Sequence, residues 1–559
     1  MKTKSITPLT ASLLFLGVTQ FLIPASFATA ADTNPISSTN TNANLNTTNT
    51  NTTTSTNADT EAEANANANE DSEASPQYEA ASLASPWSEK ALRPSVDASL
   101  YQGVLDKRSL LQLIDAGDHL FNARFTSLDG VGRPMATQAI IPTLRKRLAR
   151  TDFSRTAGMD ANACASCHNQ PVVGGAGDFS VNVFVSEGFQ HSDFDSTDPQ
   201  FSNERNTNHL FGAGLVELLA REMSAELQQL RTHALIKAQH SGESVIQPLI
   251  TKGVNFGQLS VSPDGLVNTQ AIEGVDHDLV IRPFSHKGVM TSLRQFTVNA
   301  LNHHHGMQAT ERFGARWTGT DDFDQDEVAN EISTGDVSAL VAWQASLPPP
   351  LSFTPTDSRW QDSARAGRKH FDTLGCADCH KPYLPLDSLN FEDPGPLDAA
   401  GTLRTGESPS ATYPLALLDW ATSLERDDQG RILVPLFGDL KRHVIADQQV
   451  ATLGNELLSQ RFVERNVFMT TELWGVASTD PYGHRGNLTT LSEVIDAHGG
   501  AARASRDQWQ ALDSHEKSEL IAWLKTLVIN PQTMSPQSVD STFNNGHVTG
   551  SAVTSEPRP

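Results

Sequence analysis

The chain of 559 residues contains four cysteines, and all four fall in two copies of one short pattern. The first copy is Cys164-Ala-Ser-Cys167-His168 and the second is Cys376-Ala-Asp-Cys379-His380. Two thiols three positions apart, followed at once by histidine, are the attachment signature of a c-type haem. The sulfurs add to the porphyrin vinyl groups as thioethers, and the adjacent imidazole turns onto the iron. A single copy has other readings: a thioredoxin-like redox pair, half of a zinc site, or a disulfide. A redox pair rarely carries the histidine twice, and a zinc site would have to gather its ligands from two distant motifs. The pattern therefore predicts two covalently bound haems c, with iron on His168 and on His380.

The sixth iron position separates an electron carrier from a site that binds peroxide or oxygen. Leu491, Val494, Ile495 and His498 fall at i, i+3, i+4 and i+7, so His498 shares the apolar face of a helix. Thr490 and Glu493 form its capping box, and Gly499-Gly500 ends it. A buried imidazole needs a partner. The second iron is the favoured one, with a backbone carbonyl as the other reading. His484, in PYGHRG, competes for the same place. For the first iron the segment NALNHHHGMQ offers His303, His304, His305 and Met307, of which at most one faces a single iron; a polar turn is the alternative. His286 is a weaker choice, and His191 and His209 have no supporting context. Arg294 lies in the same stretch and, with His303–His305, is a candidate for the distal pocket. Asp322, Asp324, Asp326 and Glu331 resemble half of a calcium loop, with Glu327 where glycine is expected at the turn. A solvated acidic loop is the plainer reading.

The elements that must position these groups repeat. Ala116-Gly117 and Phe121 precede the first motif, and Ala366-Gly367 and Phe371 precede the second. Leu340, Trp343 and Leu347 follow the first, with the spacing of Leu520, Trp523 and Leu527 after the second. Each set lies on one helix face. Asp513 and Glu516 cap the last helix, and prolines follow both closing helices. The expected fold is mainly α: two tandem cytochrome c-type haem domains with long loops and insertions, at 91–350 and 351–532, parted at Pro348–Pro350. A tail covers 533–559.

The N-terminus has two lysines, an apolar run and Ala28-Thr29-Ala30, which reads as a signal peptide over 1–30. An uncleaved anchor is the alternative, opposed by Pro24. No cysteine follows the cleavage site to take a lipid. Residues 31–90 are rich in Thr, Asn and Ala, then acidic, and predict a disordered tether. No later segment is long and apolar enough to span a membrane. The chain is thus expected in the periplasm or secreted. A net charge of −24 argues against nucleic acid and suits a basic redox partner.

LFNARFTSLDGVG, NHLFGAGLVELL, DDFDQDEVANEISTGDVSALVAW and ELWGVASTDPYGHRGNLTTLSEVIDAHGG resemble the bacterial di-haem cytochrome c peroxidase superfamily. They are most similar to its putative di-haem oxidoreductase (thiol oxidoreductase-like) branch. The resemblance spans about 110 to 530. It implies a reactive N-terminal haem and a C-terminal haem that relays electrons from a small donor protein, a cytochrome c or a cupredoxin. It places the C-terminal distal ligand at His498, the position held by Met in the peroxidases, Tyr in the methylamine-utilisation enzyme and His in rubber oxygenases. Arg485 stands where peroxidases usually carry Asp, and no segment matches their Met ligand or distal His loop. Three functions follow as expectations. The first is peroxide reduction at the His168 haem, the second an oxygenase or oxidase on an organic molecule, and the third a di-haem electron carrier.

Overall fold

The computed structural model describes residues 87–92, 94–132, 135–138, 143–146, 161–184, 202–396, 410–456 and 462–529. The expected signal peptide, nearly all of the tether, the C-terminal tail and His191 lie outside these residues. The helices of the first half are α1 (Lys107–Asn122), α2 (Ala213–Ser241), α3 (Leu293–Ala300), the single turns α4 (Thr310–Phe313) and α5 (Ala315–Thr318), and α6 (Thr334–Ser346). Those of the second half are α7 (Ser358–Thr373), α8 (Leu491–Asp496), α9 (Arg503–Ala511) and α10 (Ser514–Leu524).

The repeated sequence pattern becomes two repeated helix crossings, α1 on α6 and α7 on α10. Both crossings go through glycine. A Cβ on Gly117 would lie 2.1 Å from the Ala339 carbonyl oxygen, and one on Gly367 would lie 1.9 Å from that of Glu519. Only a residue without a side chain lets the backbones meet so closely. One turn on, the aromatic pairs close the crossing: Phe121 and Trp343 have ring centroids 4.2 Å apart, and Phe371 and Trp523 4.5 Å. Such pairs add about 0.5–1.5 kcal/mol each beyond the area they bury. The closing helices begin at full capping boxes, Ser333 with Asp336 and Asp513 with Glu516. Leu347 and Leu527 fall just beyond their helices, yet both stay buried.

Strands correct the expectation of a mainly α chain. Among the described residues there are seven small sheets, so the fold is mixed. Five of these lie wholly after the first C-x-x-C-H motif; Met135–Gln138 pairs with Thr143–Lys146 before it, and Gly103–Val104 joins a sheet from the second half. Val245–Thr251 pairs antiparallel with Val254–Val261, which pairs with Val267–Asn268. Val245, Leu249 and Thr251 of the first strand are buried, but Ile246 and Ile250 face outward beside Pro248. With both faces apolar, the period-2 signal that marks a strand is lost.

The two halves interlock. Gly103–Val104, before α1, pairs in parallel with Ala411–Thr412. Phe391, Tyr413, Leu436 and Trp474 join the main core alongside Leu113, Leu219 and Trp343. A smaller core gathers Phe371, Phe437, Leu491, Trp509 and Trp523 around α7 and α10. Buried ions also cross between halves. Glu456 pairs with Arg205 and, at 3.4 Å, with Lys287. The Lys287 ammonium donates to the carbonyls of Glu464, Arg465 and Val467 at 2.9, 2.8 and 3.0 Å.

Two predictions follow from these contacts. Gly117→Ala and Gly367→Ala each destabilise by about 1–3 kcal/mol through overpacking, read as a lower thermal midpoint, whereas Gly438→Ala, whose Cβ would meet its nearest neighbour at 3.6 Å, loses less. Glu456→Gln leaves two buried cations short of a counter-ion and costs about 3–5 kcal/mol, measured by urea unfolding.

Candidate cofactor site

The second C-x-x-C-H motif follows α7 directly. Gly375, at φ 78°, turns the chain out of the helix, and Cys376–Asp378 form one 3-10 turn. His380 is then placed under Phe371, with ring centroids 6.4 Å apart at 48°. Its Nδ1 lies 3.1 Å from the carbonyl oxygen of Phe437. A carbonyl only accepts, so Nδ1 carries the proton and Nε2 keeps a lone pair for a metal. Burial, helped by the charge of His498, pushes the His380 imidazole down to about 4, so it is neutral at ordinary pH.

His498 is arranged the same way. The Thr490–Glu493 capping box starts α8 as expected, but the helix ends at Asp496 and His498 lies in the turn beyond. Its Nδ1 donates to the Val494 carbonyl at 2.7 Å, which again leaves Nε2 for a metal. Burial lowers its pKa. The His380 and His498 ring centroids are 6.5 Å apart, inclined at 54°. A metal–imidazole bond of about 2 Å on each side, plus about 1 Å from nitrogen to ring centre, requires a little over 6 Å. The pair therefore fits a six-coordinate haem iron between its rings. His484 is elsewhere. Its Nε2 lies 3.3 Å from Glu456, its ring stacks on Phe468 at 4.5 Å, and burial together with nearby cations pushes it down to about 2.

The first motif repeats the frame. Cys164–Ser166 form a 3-10 turn, and His168 lies under Phe121 at 6.0 Å and 54°. Its Nδ1 donates to the Gly175 carbonyl at 3.3 Å. Glycine is required there, because a Cβ would sit 1.9 Å from the Gln170 carbonyl. Burial takes His168 down to about 4 as well. The three consecutive histidines lie in a π-helical turn, Leu301–His305, that continues α3. Such turns concentrate at functional sites. His305 is committed locally: its Nδ1 donates to the Ala161 carbonyl at 2.6 Å, and its Nε2 is 3.4 Å from the Cys164 sulfur. His303 packs edge-on against His304 at 5.2 Å. Of the three, His304 is the one whose charge bears on His168.

Arg294 differs from the expected distal role. All five of its N–H donors are taken, by Asp393, Glu311, Ser338 and the Thr334 carbonyl, and it fastens α3 to α6 and to Asn390–Asp393. His286 bonds the Asn206 carbonyl at 3.1 Å, and His209 bonds that of Trp474 at 3.2 Å. Met307 is fully buried in the main core. Sequence reasoning missed His443. Its Nε2 is 2.8 Å from buried Asp439, and it also reaches Cys379. Burial opposes its protonation, but these bonds outweigh burial and lift it to about 9. Asp439 stands four residues before His443, but Cys379 comes from a distant segment, so the chain shows only half of this arrangement.

The acidic run does converge. Carboxylate oxygens of Asp322, Asp324 and Asp326 all lie within 4.8 Å of one another. Glu327 takes the left-handed φ of 75° that glycine would adopt. Burial first, then Asp324 and Asp326, raise Glu331 well above 4.5, while its carboxylate accepts from the Gln308 amide at 2.7 Å.

No family model matches the chain, and no curated protein matches it. Among solved structures it is similar to "Kuenenia stuttgartiensis Hydrazine Synthase Pressurized with 20 bar Xenon", at 13% identity and TM-score 0.32 over 79% of this chain and 96% of that one. It is also similar to "Crystal structure of a MauG-like protein associated with microbial copper homeostasis", at 16% identity and TM-score 0.25 over 49% and 81%. At these scores neither likeness carries any part of the argument. Among the described residues no helix is long and apolar enough to cross a membrane.

The raised Glu331 has a testable sign. Its contribution to stability is complete below 4.5 and is lost as pH rises through its folded value. In EDTA, Asp326→Asn, which keeps an oxygen for the Val328 amide, therefore raises the thermal midpoint at pH 7 and changes it little at pH 4, where burial already holds Asp326 protonated.

Proposed function

We propose that the chain is a di-haem c-type oxidoreductase of peroxidase type. The observation that carries this reading is the duplicated frame: C-x-x-C-H between the two helices of a glycine-crossed pair, with Nδ1 of each histidine tied to a carbonyl. Cys164 and Cys167 would anchor one haem c over His168, and Cys376 and Cys379 the other over His380. The halves 91–350 and 351–532 would each bring one iron, although their cores interlock. When bound, the group supplies one-electron exchange and, where a position is open, a place for peroxide.

The chain's residues divide the work. His380 and His498 would hold the second iron between them, which would suit electron relay. The carbonyls of Phe437 and Gly175 hold the two proximal imidazoles in one tautomer and one orientation. On the first side His304, whose charge bears on His168, would hold a proton or close the iron. Reduction of peroxide to two waters consumes two protons and two electrons, the latter from an external donor such as a cytochrome c or a cupredoxin. Export, implied by the N-terminal segment, belongs to this proposal. Calcium at the acidic cluster is not needed for it.

One observation favours a second reading, the electron carrier: the charge of His304 bears on His168, and a histidine on both sides of each iron would leave no open position. An oxygenase remains the reading to try if peroxide is not turned over.

Haem content and an EPR spectrum of the oxidised protein test the proposal. Two haems are expected, with a low-spin signal from the His380–His498 pair. His498→Ala turns that signal high-spin and leaves the other haem unchanged. Fewer than two haems, or a spectrum indifferent to His498→Ala, sinks the assignment. A second low-spin signal that His304→Ala removes establishes a closed first iron at rest and the carrier reading.

A further inference from the structure

His498 stands two residues beyond the end of α8, a helix of only six residues. Its ring bonds the Val494 carbonyl and its amide the Ile495 carbonyl, at 2.7 and 3.2 Å, but a short helix frays at such an end. The chain then passes through Gly499 into the 3-10 turn Gly500–Ala502 and on into α9. This turn is held from outside. The Gly499 amide donates to the Ile445 carbonyl at 2.8 Å, and the Gly500 amide donates to the Asp447 carboxylate at 2.6 Å. The other Asp447 oxygen pairs with Arg503, in the first turn of α9, and accepts from the amides of Gln449 and Val450 at 2.8 and 3.0 Å. The fit leaves no room for side chains. A Cβ on Gly499 would lie 2.8 Å from the Val450 carbonyl oxygen, and one on Gly500 2.2 Å from that of Val444.

Asp447 belongs to a segment that also serves the other histidine. Upstream, the Phe437 carbonyl takes the Nδ1 proton of His380, and Arg442–Val444 pairs antiparallel with Val467–Met469. Residues 437–450 thus run from the carbonyl that orients His380 to the carboxylate that holds the turn after His498. α9 makes links of its own to the end of α8. Arg506 donates to the Asp496 carbonyl, and the Trp509 indole to the Asp496 carboxylate, both at 3.2 Å. These fix α9 on α8. The Ile445 carbonyl and Asp447 fix the turn on the segment that serves His380, and of the two only Asp447 acts through a side chain. The amides of Val450 and Gly500, with Arg503, hold its carboxyl well below the usual range, so it is ionised at working pH.

We infer that Asp447 is a positioning residue for His498: by clamping the Gly499–Gly500 turn to the segment that orients His380, it sets the distance between the two imidazoles. The inference rests on the di-haem reading above. A metal bond tolerates little displacement of its ligand nitrogen, so groups that hold a ligand in place count in the strength of the bond. Asp447 touches neither ring. It acts on His498 through the backbone of the two glycines that follow it.

Cyanide titration of the oxidised holoprotein, followed by EPR, is the test. Cyanide competes with His498 for the sixth position, and the signal followed is the low-spin one that His498→Ala removes. Fewer than two haems, or no signal that depends on His498, defeats the di-haem reading itself and not this inference. With that signal present, Asp447→Ala lowers the cyanide concentration that replaces half of it by about tenfold or more. Asp447→Asn keeps an oxygen for the amides and loses the charge facing Arg503, so its midpoint lies between. Asp106→Ala removes the N-cap of α1 in the first half, lowers the thermal midpoint and leaves the cyanide midpoint where it was. An unmoved cyanide midpoint in Asp447→Ala with full haem content overturns the inference. So does an equal drop in Asp106→Ala, which would mark general loosening. If Asp447→Ala does not load two haems, Asp447→Asn and Gly500→Ala, which pushes the turn off Val444, decide in its place: a lower midpoint in both supports the clamp, and unmoved midpoints overturn it.

Discussion

The structure turns on where a buried neutral imidazole puts its one proton. His168 and His380 sit in surroundings that keep them unprotonated, so each has a single N–H to place. A backbone carbonyl takes it in both cases. That choice frees the opposite nitrogen and fixes the plane of the ring. It also makes the position of a carbonyl, rather than of a side chain, the quantity the fold must control. The glycine-rich loop that carries Gly175 and the Leu436–Leu440 segment that carries Phe437 are placed against the helix crossings accordingly. The crossings in turn bring a phenylalanine onto each ring. His498 solves the same problem with a bond to Val494, four residues before it.

The local parts of this arrangement were legible in the chain. The C-x-x-C-H motifs, the A-G-x-x-x-F frame, the tryptophan helices and the capping pairs at Thr490 and Asp513 all depend on residues a few positions apart. The apolar spacing before His498 turned its ring inward in expectation, and that ring lies 6.5 Å from the ring of His380, although the helix itself stops short. Contacts between distant segments were not legible. Arg294 looked like a distal-pocket residue because its neighbours are the histidine run. Its partners Asp393 and Glu311 come from separate elements. His443 has Asp439 four residues before it, but its contact with Cys379 joins distant segments. The hairpin at Val245–Val261 was hidden because its first strand carries isoleucines on the outer face.

The buried ions cost desolvation that a core of leucines would avoid. Arg294 with Asp393 and Glu311, and Glu456 with Arg205 and Lys287, therefore do something apolar packing does less well. They fix one register between segments far apart in the chain. Each ion has several partners in set directions, so a slip by one residue would strand a charge. That specificity matters where two C-x-x-C-H frames must keep a constant separation and orientation.

The parallel pairing of Gly103–Val104 with Ala411–Thr412 bears on how the chain assembles. The strand that leads into the first helix pair has no partner until the ribosome has passed well beyond the second C-x-x-C-H motif. Closing so long a loop carries an entropic cost and puts non-local contacts on the path to the native state. Until it closes, the first half keeps an open sheet edge and lacks Phe391, Tyr413 and Leu436 from its core. Both thiol pairs are synthesised during that interval, before the sheet can seal. The topology thus separates two events in time, the arrival of the cysteines and the completion of the core around them.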